Sequence, residues 1–584
     1  MHGFFGRILR IDVGACDYRV EPLDQEVIRR YLGGKGLGSH LLNQELAPGV
    51  DPLSPDNKLI FTTGAACGTN MPGASRYGVF TKSPLTGIYA ESYSGGRVAP
   101  AMKRTGYDAI VIEGRSPYPV YLDISSEGVK FFEAAHLWGL DTYDAEDKVL
   151  QEVGDPRAQA LVIGPAGERL VRFACIENNY WRSAGRAGTG AVMGAKKLKA
   201  IVFRGANEAE IADPSLLKDL VTRIREKAKG DAGAKNYKTF GTPVMVSILN
   251  KAGVFPSRYW SRGQADYWEE INGEALLENF RVKPRACPHC MLACGKLTSV
   301  TKGKHAGLTI EGPEYETIYS LGGLCEIRSL DDIIYLNDLC DRWGMDTITA
   351  GNLVGLVMEG VESGRLKEGP GYGDVAGTAD LLNRIAAREG LGAVLAEGIK
   401  HAAPALGLDD LAVHVKGLEP AGYHPRILKG MGLAYATSSR GACHLRATFY
   451  KPELAGMIDP ATVEGKAKLF VEFEDRLTVF NTQILCVFFR DLIQWGELQT
   501  LIEATTGWRY SDDELRDLGN RVVGLTRVFN VQEGITNKED TLPDRMFTDP
   551  PLDSRKSHLT REELERMVSE YYYLRGWDAE GRPC

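Results

Sequence analysis

The segment Ala286-Cys287-Pro288-His289-Cys290-Met291-Leu292-Ala293-Cys294-Gly295 sets three cysteines at C-x2-C-x3-C spacing near the middle of the chain. Spacing this short lets three thiolates converge on one point without a long connection, so the surrounding chain must fold around whatever they hold. Structural zinc usually draws on two separated ligand pairs. Three clustered cysteines with a distant fourth suit a [4Fe–4S] cluster. Cys486, Cys325, Cys340 and Cys443 are all candidates for the fourth ligand. A small zinc knuckle, or three reduced thiols, is the competing reading. Spacing alone names no enzyme, because a cluster only moves electrons or binds a substrate.

The 584 residues are 43% hydrophobic and 25% charged, an ordinary globular composition with room for several domains. Glycine, at 66 residues, exceeds its usual share of about 7%. That excess implies tight turns and close backbone approaches, as around a buried ligand. Net charge is −8 and no basic stripe stands out, so nothing favours nucleic acid. No apolar run reaches the ~20 residues of a membrane span, and the opening residues lack the apolar core of a signal peptide. The expectation is a cytoplasmic protein, in which a tight cysteine group binds metal rather than forming disulfides.

Residues 1–206 read as a β-rich domain. Short apolar runs broken by Gly, Pro and Asn predict strands at Gly6–Val13, Lys58–Thr63, Tyr77–Lys82, Ile88–Tyr93, Ala109–Glu113, Val120–Ile124, Ala160–Ile163, Phe173–Glu177 and Ala200–Arg204. The pattern changes at Asp213-Pro214, an N-cap followed by proline at the first helical position. Helices are expected over Ser215–Lys229, from Ser329, over Thr378–Glu389 and Leu391–Leu406, and after the capping boxes Ser511/Glu514 and Thr560/Glu563. Pro543–Pro551 reads as a surface connection. The fold class is α+β: a β-rich N-terminal domain, then two mainly helical domains, 207–414 and 415–584, with a weakly marked boundary near Val413–Pro420.

Glycine-rich loops with interleaved arginines occur at Pro72–Tyr77, Ser92–Gly96 and Arg182–Gly190, with a basic run at Lys196–Lys199. They offer N–H groups and guanidinium forks to phosphates, or are simply turns. None matches a Rossmann or P-loop pattern. In Asp341-Arg342-Trp343-Gly344-Met345-Asp346-Thr347, one helix should stop at Gly344, and Asp346 or Thr347 should cap the next. This is either a plain helical corner or a pair of carboxylates facing a ring with several N–H donors, such as a pterin. Glu316 and His444 are a carboxylate and an imidazole able to share proton transfer, although a lone histidine is more often a packing residue.

Together these stretches resemble the tungsten-containing aldehyde oxidoreductase family over nearly the whole chain. The resemblance is carried by Gly6–Asp12, Thr81–Gly87, Gly106–Val111, Gly164–Glu168, Ala184-Gly185-Arg186, Gly190–Gly194, Glu311–Glu316 and Leu574–Trp577. It implies a bis-pyranopterin cofactor holding one tungsten, or molybdenum, above the β-rich base, beside a [4Fe–4S] cluster ligated by Cys287, Cys290, Cys294 and Cys486. Arg76 and Arg182 would stand between pterin phosphates and cluster, and the Ser183 carbonyl would meet a Mg2+ bridging the phosphates. Gly185 and Arg186 would join the cofactor site. Asp341, Gly344 and Asp346 match the first pterin motif, D-x-x-G-L-D. Glu316 would deprotonate attacking water, and His444 would hydrogen-bond the substrate carbonyl. Electrons would pass to a ferredoxin or a separate iron–sulfur subunit, from a homodimer or a larger hetero-oligomer.

The chain also departs from the family. The second pterin motif, D-x-x-G-L-C, reads Asn481-Thr482-Gln483-Ile484-Leu485-Cys486, which leaves Asn481 and Leu485 to hold that pterin. Tyr335 and Asp338 stand where some members bind an interfacial iron, and Tyr93 stands where an asparagine assists the Mg2+. Cys325 is an addition: it is either a buried structural cysteine or, as the resemblance to the tungsten aryl-CoA reductase branch implies, a sulfur ligand on tungsten. The expected reaction is oxidation of an aldehyde, or reduction of an activated acid. Alternatives are the catalytic subunit of an aryl-CoA (benzoyl-CoA type) reductase, or a cluster-only electron-transfer or scaffold subunit.

Overall fold

The computed structural model describes residues 1–584 and has about 43% helix and 14% strand. The β-rich part holds two six-stranded sheets. The first contains β1 (Arg7–Asp12), β2 (Asp17–Pro22), β3 (Leu59–Thr63), β4 (Tyr77–Lys82), β5 (Tyr89–Ser94) and β6 (Ala109–Glu113), in spatial order β2-β1-β6-β3-β4-β5. The second contains β7 (Val120–Ser125), β8 (Gly128–Glu133), β9 (Gln159–Val162), β10 (Ile176–Asn178), β11 (Arg182–Ala184) and β12 (Leu198–Phe203), in order β11-β10-β9-β12-β7-β8. Pairing is antiparallel except for β1 with β6 and β12 with β7. One shared core, with Leu9, Phe61, Val79 and Ile112 from the first sheet and Leu122, Leu161, Ile201 and Phe203 from the second, packs the sheets face to face.

Each outer sheet face is covered by a helix that the apolar runs alone did not reveal. Gly34–Glu45 lays Leu37, Leu41 and Leu42 against Ile60, Phe80 and Val111. Thr142–Val153 lays Ala145 and Val149 against Tyr121, Ala160 and Val202. The layers therefore run helix, sheet, sheet, helix, with β3 and β4 buried along their whole length.

The strand expected over Phe173–Glu177 forms only at its end, in β10. Residues 173–175 pair instead with the corner between two later helices. Asp346 donates its N–H to the Phe173 carbonyl (3.2 Å), and Cys175 donates to the Gly344 carbonyl (2.8 Å). Backbone groups that would have extended the sheet are thus used to seat the helical part on the base.

The change at Asp213 is as expected: its carboxylate accepts from the Leu216 N–H (2.9 Å), and the helix runs Pro214–Gly230. Both expected capping boxes form. The continuous helix expected over Leu391–Leu406 is two, Leu391–Leu395 and Ile399–Ala405, broken at Gly398, where the backbone is left-handed (φ 79°) and a Cβ would meet Leu85. Pro543–Pro551 is more than a connection, since it contains the turn of helix Arg545–Thr548 with Met546 buried. A three-stranded sheet also lies within the helical part: β13 (Arg281–Arg285), β14 (Gly295–Ser299) and β15 (Thr309–Glu311), with β13 on its edge. The main core of 78 buried residues draws on Phe255, Leu353 and Leu382 as well as Leu433, Phe470 and Met567, and so runs across residue 414 without a break. No helix is long and apolar enough to cross a membrane.

Candidate active site

The hairpin from β13 to β14 presents Cys287, Cys290 and Cys294, and antiparallel pairing from Arg281↔Ser299 to Arg285↔Gly295 closes the base of that loop. His289 (φ 59°) and Ala293 (φ 41°) are left-handed, backbone strain of the kind found at ligand clamps. Gly295 is required by close approach, because a Cβ there would lie 1.8 Å from Glu311 Oε1 and 2.9 Å from Arg182 Nη2. Cys486 arrives from the other side. It follows a turn at the end of helix Lys466–Thr482, and its N–H donates to the Gly73 carbonyl (2.8 Å).

All four cysteines line one cavity of about 370 Å³. The N–H of Gly96 donates to Cys287 Sγ (3.3 Å). Burial, then the neighbouring Cys486 sulfur, pushes the Cys290 thiol up to about 11. Burial and the nearby charges of Glu314 and Cys486 push Cys294 well up. No three His, Cys, Asp or Glu side chains surround a single-ion position. Four thiolates on one cavity are a soft donor set of the kind that fits an iron–sulfur cluster.

The same cavity is lined by Arg76, Arg182, Ser183, Gly185 and Arg186, and by Arg440 and Arg446. Arg182 ion-pairs with Glu311 next to Cys287, and Ser183 Oγ donates to Glu177 (2.6 Å). Buried Arg186 is fully engaged: Nε donates to Asp346 (2.9 Å), and Nη2 to the Glu419 carbonyl (2.9 Å). The Nε atoms of Arg440 and Arg446 are buried without a partner. Five guanidiniums on one cavity, two of them with a buried and unpartnered Nε, fit a ligand carrying phosphates. Tyr93 also faces the cavity, its hydroxyl donating to Glu91 (2.6 Å).

Glu316 sits on the single turn Tyr315–Thr317, which continues into a π-helix over Ile318–Leu324, a departure from α-geometry common at functional sites. The Gly422 N–H donates to Glu316 Oε2 (3.0 Å). Oε1 has no hydrogen-bond partner and faces His444 Nε2 at 3.5 Å. Both residues lie deep in the protein, yet 18% of the Glu316 side chain and 11% of His444 remain open, and both line the cavity. Burial raises the Glu316 carboxyl to about 8. Burial, then the charges of Arg186, Arg440 and Arg446, holds His444 far below the usual imidazole range, so its ring is neutral. Tyr423 stacks between His444 (5.5 Å) and Tyr450 (4.0 Å), and both tyrosines line the cavity.

Asp341, Gly344 and Asp346 form the expected corner behind this wall. Gly344 is left-handed (φ 72°), and Asp346 caps Thr347–Glu362 through the Ile348 N–H (3.0 Å). Burial, then Glu177, pushes the Asp341 carboxyl well up. Asn481 is partly exposed, whereas Leu485 is buried in the core beside Phe480 and Phe489. Cys325 is not brought to the cavity. Its thiol is fully buried in the main core, 3.4 Å from the carbonyls of Ser320 and Gly351, the place of a structural cysteine. Sequence reasoning missed Arg440, Arg446, Tyr423 and Tyr450. The two arginines flank His444 at four residues before and two after, a readable signal; the tyrosines carry no spacing signature.

Family models match both parts of the chain: the aldehyde ferredoxin oxidoreductase N-terminal domain over residues 8–205, and its domains 2 and 3 over residues 219–584. The tungsten-containing aldehyde ferredoxin oxidoreductase of Pyrococcus furiosus is 37% identical over 601 residues, covering 100% of this chain and 98% of that one. The aliphatic sulfonate oxidoreductase WOR-like subunit of the same organism is 29% identical, covering 100% and 96%. The active-site complex of benzoyl coenzyme A reductase with 1,5-dienoyl-CoA superposes with a TM-score of 0.87 at 25% identity, covering 100% and 96%. With both family models matched and full-length identity to their members, this chain belongs to the aldehyde ferredoxin oxidoreductase family of oxidoreductases.

Proposed function

We propose that the protein oxidises an aldehyde to a carboxylic acid at a bis-pyranopterin tungsten site and passes the electrons through a [4Fe–4S] cluster to a ferredoxin-type acceptor. The observation that carries this reading is the free Glu316 carboxylate oxygen facing neutral His444 at 3.5 Å in the cavity that four cysteines also line. Cys287, Cys290, Cys294 and Cys486 would hold the cluster. Arg76, Arg182, Arg440 and Arg446 would meet pterin phosphates, and the corner at Asp341–Asp346 would meet pterin N–H groups. The metal, when bound, supplies the two-electron acceptor that converting aldehyde and water to acid requires. Ionised Glu316 accepts the proton of the adding water, and a conjugate acid near 8 makes it a stronger base than an ordinary carboxylate. His444 donates its single N–H to the carbonyl oxygen as negative charge develops there.

Full-length identity near 37% to aldehyde enzymes, against 25% to the benzoyl-CoA reductase complex, favours the aldehyde. Cys325, buried in the main core and absent from the cavity lining, lends the aryl-CoA reaction no support, while the altered second motif at Asn481 and Ile484 keeps that reaction as the alternative. The test is elemental analysis of anaerobically purified protein together with viologen-linked assays of aldehydes and aryl-CoA esters. About one tungsten and about four irons per chain with aldehyde turnover is expected. Iron with neither tungsten nor molybdenum would overturn the reading. Glu316→Gln should lower kcat/KM by about 10²–10⁴ with metal content unchanged. Because Glu316 works ionised, kcat/KM should rise with pH and level off above about 8. With His444 neutral throughout, no second limb is expected near an ordinary imidazole value.

A further inference from the structure

The cysteine loop has two sides. Cys287 and Cys290 line the active cavity, while the intervening Pro288 and His289 line a second hollow of about 350 Å³. Ser75 borders both, and its hydroxyl donates to the Gly96 carbonyl (2.7 Å). The outer hollow is also lined by Arg97, Arg104 and Arg157, and by no carboxylate. Arg157 is turned to Asp155 (3.2 Å), but the guanidiniums of Arg97 and Arg104 are exposed and make no ion pair. Arg97 directly follows Gly96, whose N–H donates to Cys287 Sγ. Edge strand β13 runs into the same loop and exposes Arg281 and Lys283. On a chain of net charge −8, this carboxylate-free basic depression goes against the overall charge, and it shares the Cys287–Cys290 segment with the active cavity.

We propose that this hollow is the docking face for a small acidic iron–sulfur carrier of the ferredoxin type. The proposal rests on the function proposed above and adds where its electrons leave. Complementary charge seats the carrier over His289 and directs its approach. Each docking moves one electron from the cluster side of the loop to one oxidised carrier, so two carriers are reduced per aldehyde oxidised. The two protons released leave separately to solvent.

The test is Arg97→Glu/Arg104→Glu in the holoenzyme, assayed with a purified acidic [4Fe–4S] ferredoxin and, in parallel, with benzyl viologen, which needs no docking face. The expected result is a KM for ferredoxin raised about tenfold or more at low ionic strength, a flattened salt dependence, and unchanged viologen turnover. An unchanged ferredoxin KM and salt dependence would overturn the docking site. Calorimetric binding of ferredoxin to wild type and variant gives a readout without turnover: equal Kd values also overturn the proposal, and a Kd weakened about tenfold sustains it. A wild type inactive with aldehydes and viologen would instead count against the aldehyde reading, leaving the binding comparison to judge the docking face. Arg97→Ala/Arg104→Ala provides a milder pair should charge reversal impair folding.

Discussion

Two corners of the molecule, one at Asp341–Asp346 and one at Asn481–Cys486, share a backbone and differ in chemistry. In the first, Gly344 donates to the Asp341 carbonyl (3.1 Å) and Met345 to the Cys340 carbonyl (2.9 Å). In the second, Ile484 donates to the Asn481 carbonyl (3.1 Å) and Leu485 to the Phe480 carbonyl (3.2 Å). Gly344 and Ile484 are both left-handed, at φ 72° and 46°. The residues that follow two places on, Asp346 (φ −61°, ψ 114°) and Cys486 (φ −68°, ψ 123°), leave in the same direction. The helix-ending turn thus fixes where the sixth residue points, and that residue's identity sets what it can bind. Ile484 shows how firmly the turn is held, because a β-branched residue at positive φ is costly and rare.

Substitutions in the two corners separate these roles. The largest effect is expected at Cys486→Ser, which keeps the turn but removes a soft ligand: iron should fall from about four per chain to three or fewer, read by elemental analysis and the cluster's absorption. Next comes Asp346→Ala. It removes both the helix cap and the buried partner of Arg186, whose other carboxylate neighbour, Glu419, stands 3.7 Å away. A loss of about 3–5 kcal/mol is expected by denaturant unfolding. Ile484→Gly should relieve about 1–2 kcal/mol of backbone strain, but it deletes a fully buried side chain worth about 2–5 kcal/mol. A net loss of about 1–3 kcal/mol is expected, and a gain in stability would show that strain, not packing, governs this corner. Gly344→Ala, which also brings a Cβ to 3.0 Å from Gly164 N, should cost about 1–2 kcal/mol.

Local signals carried much of this in the sequence. Strand β4 and both capping boxes follow from short-range patterns, and so does the first corner, because Gly and Asp are the residues such a turn favours. The second corner was legible only through resemblance, since Asn481 and Ile484 obscure its turn chemistry. Residues 173–175 misled because their backbone groups are used by the distant corner at Gly344–Asp346, which no local pattern records. Strand β13 was hidden by Pro284 and by exposed charges, tolerable only because it is an edge. The facing of Glu316 and His444 depends on a fold that separates them by 128 positions in the chain and 3.5 Å in space.

The core that crosses residue 414 has a consequence for how this protein comes apart. Side chains such as Leu353 and Leu433 belong to one apolar cluster, so neither segment can shed water from its buried face alone. The two helical segments should melt as one cooperative unit, and a chain ended at 414 would present half a core to solvent. Glu316 and His444 come from opposite sides of that seam. The acid–base pair is therefore complete only when the whole helical part is folded, and a partly folded chain would not have an active site to expose.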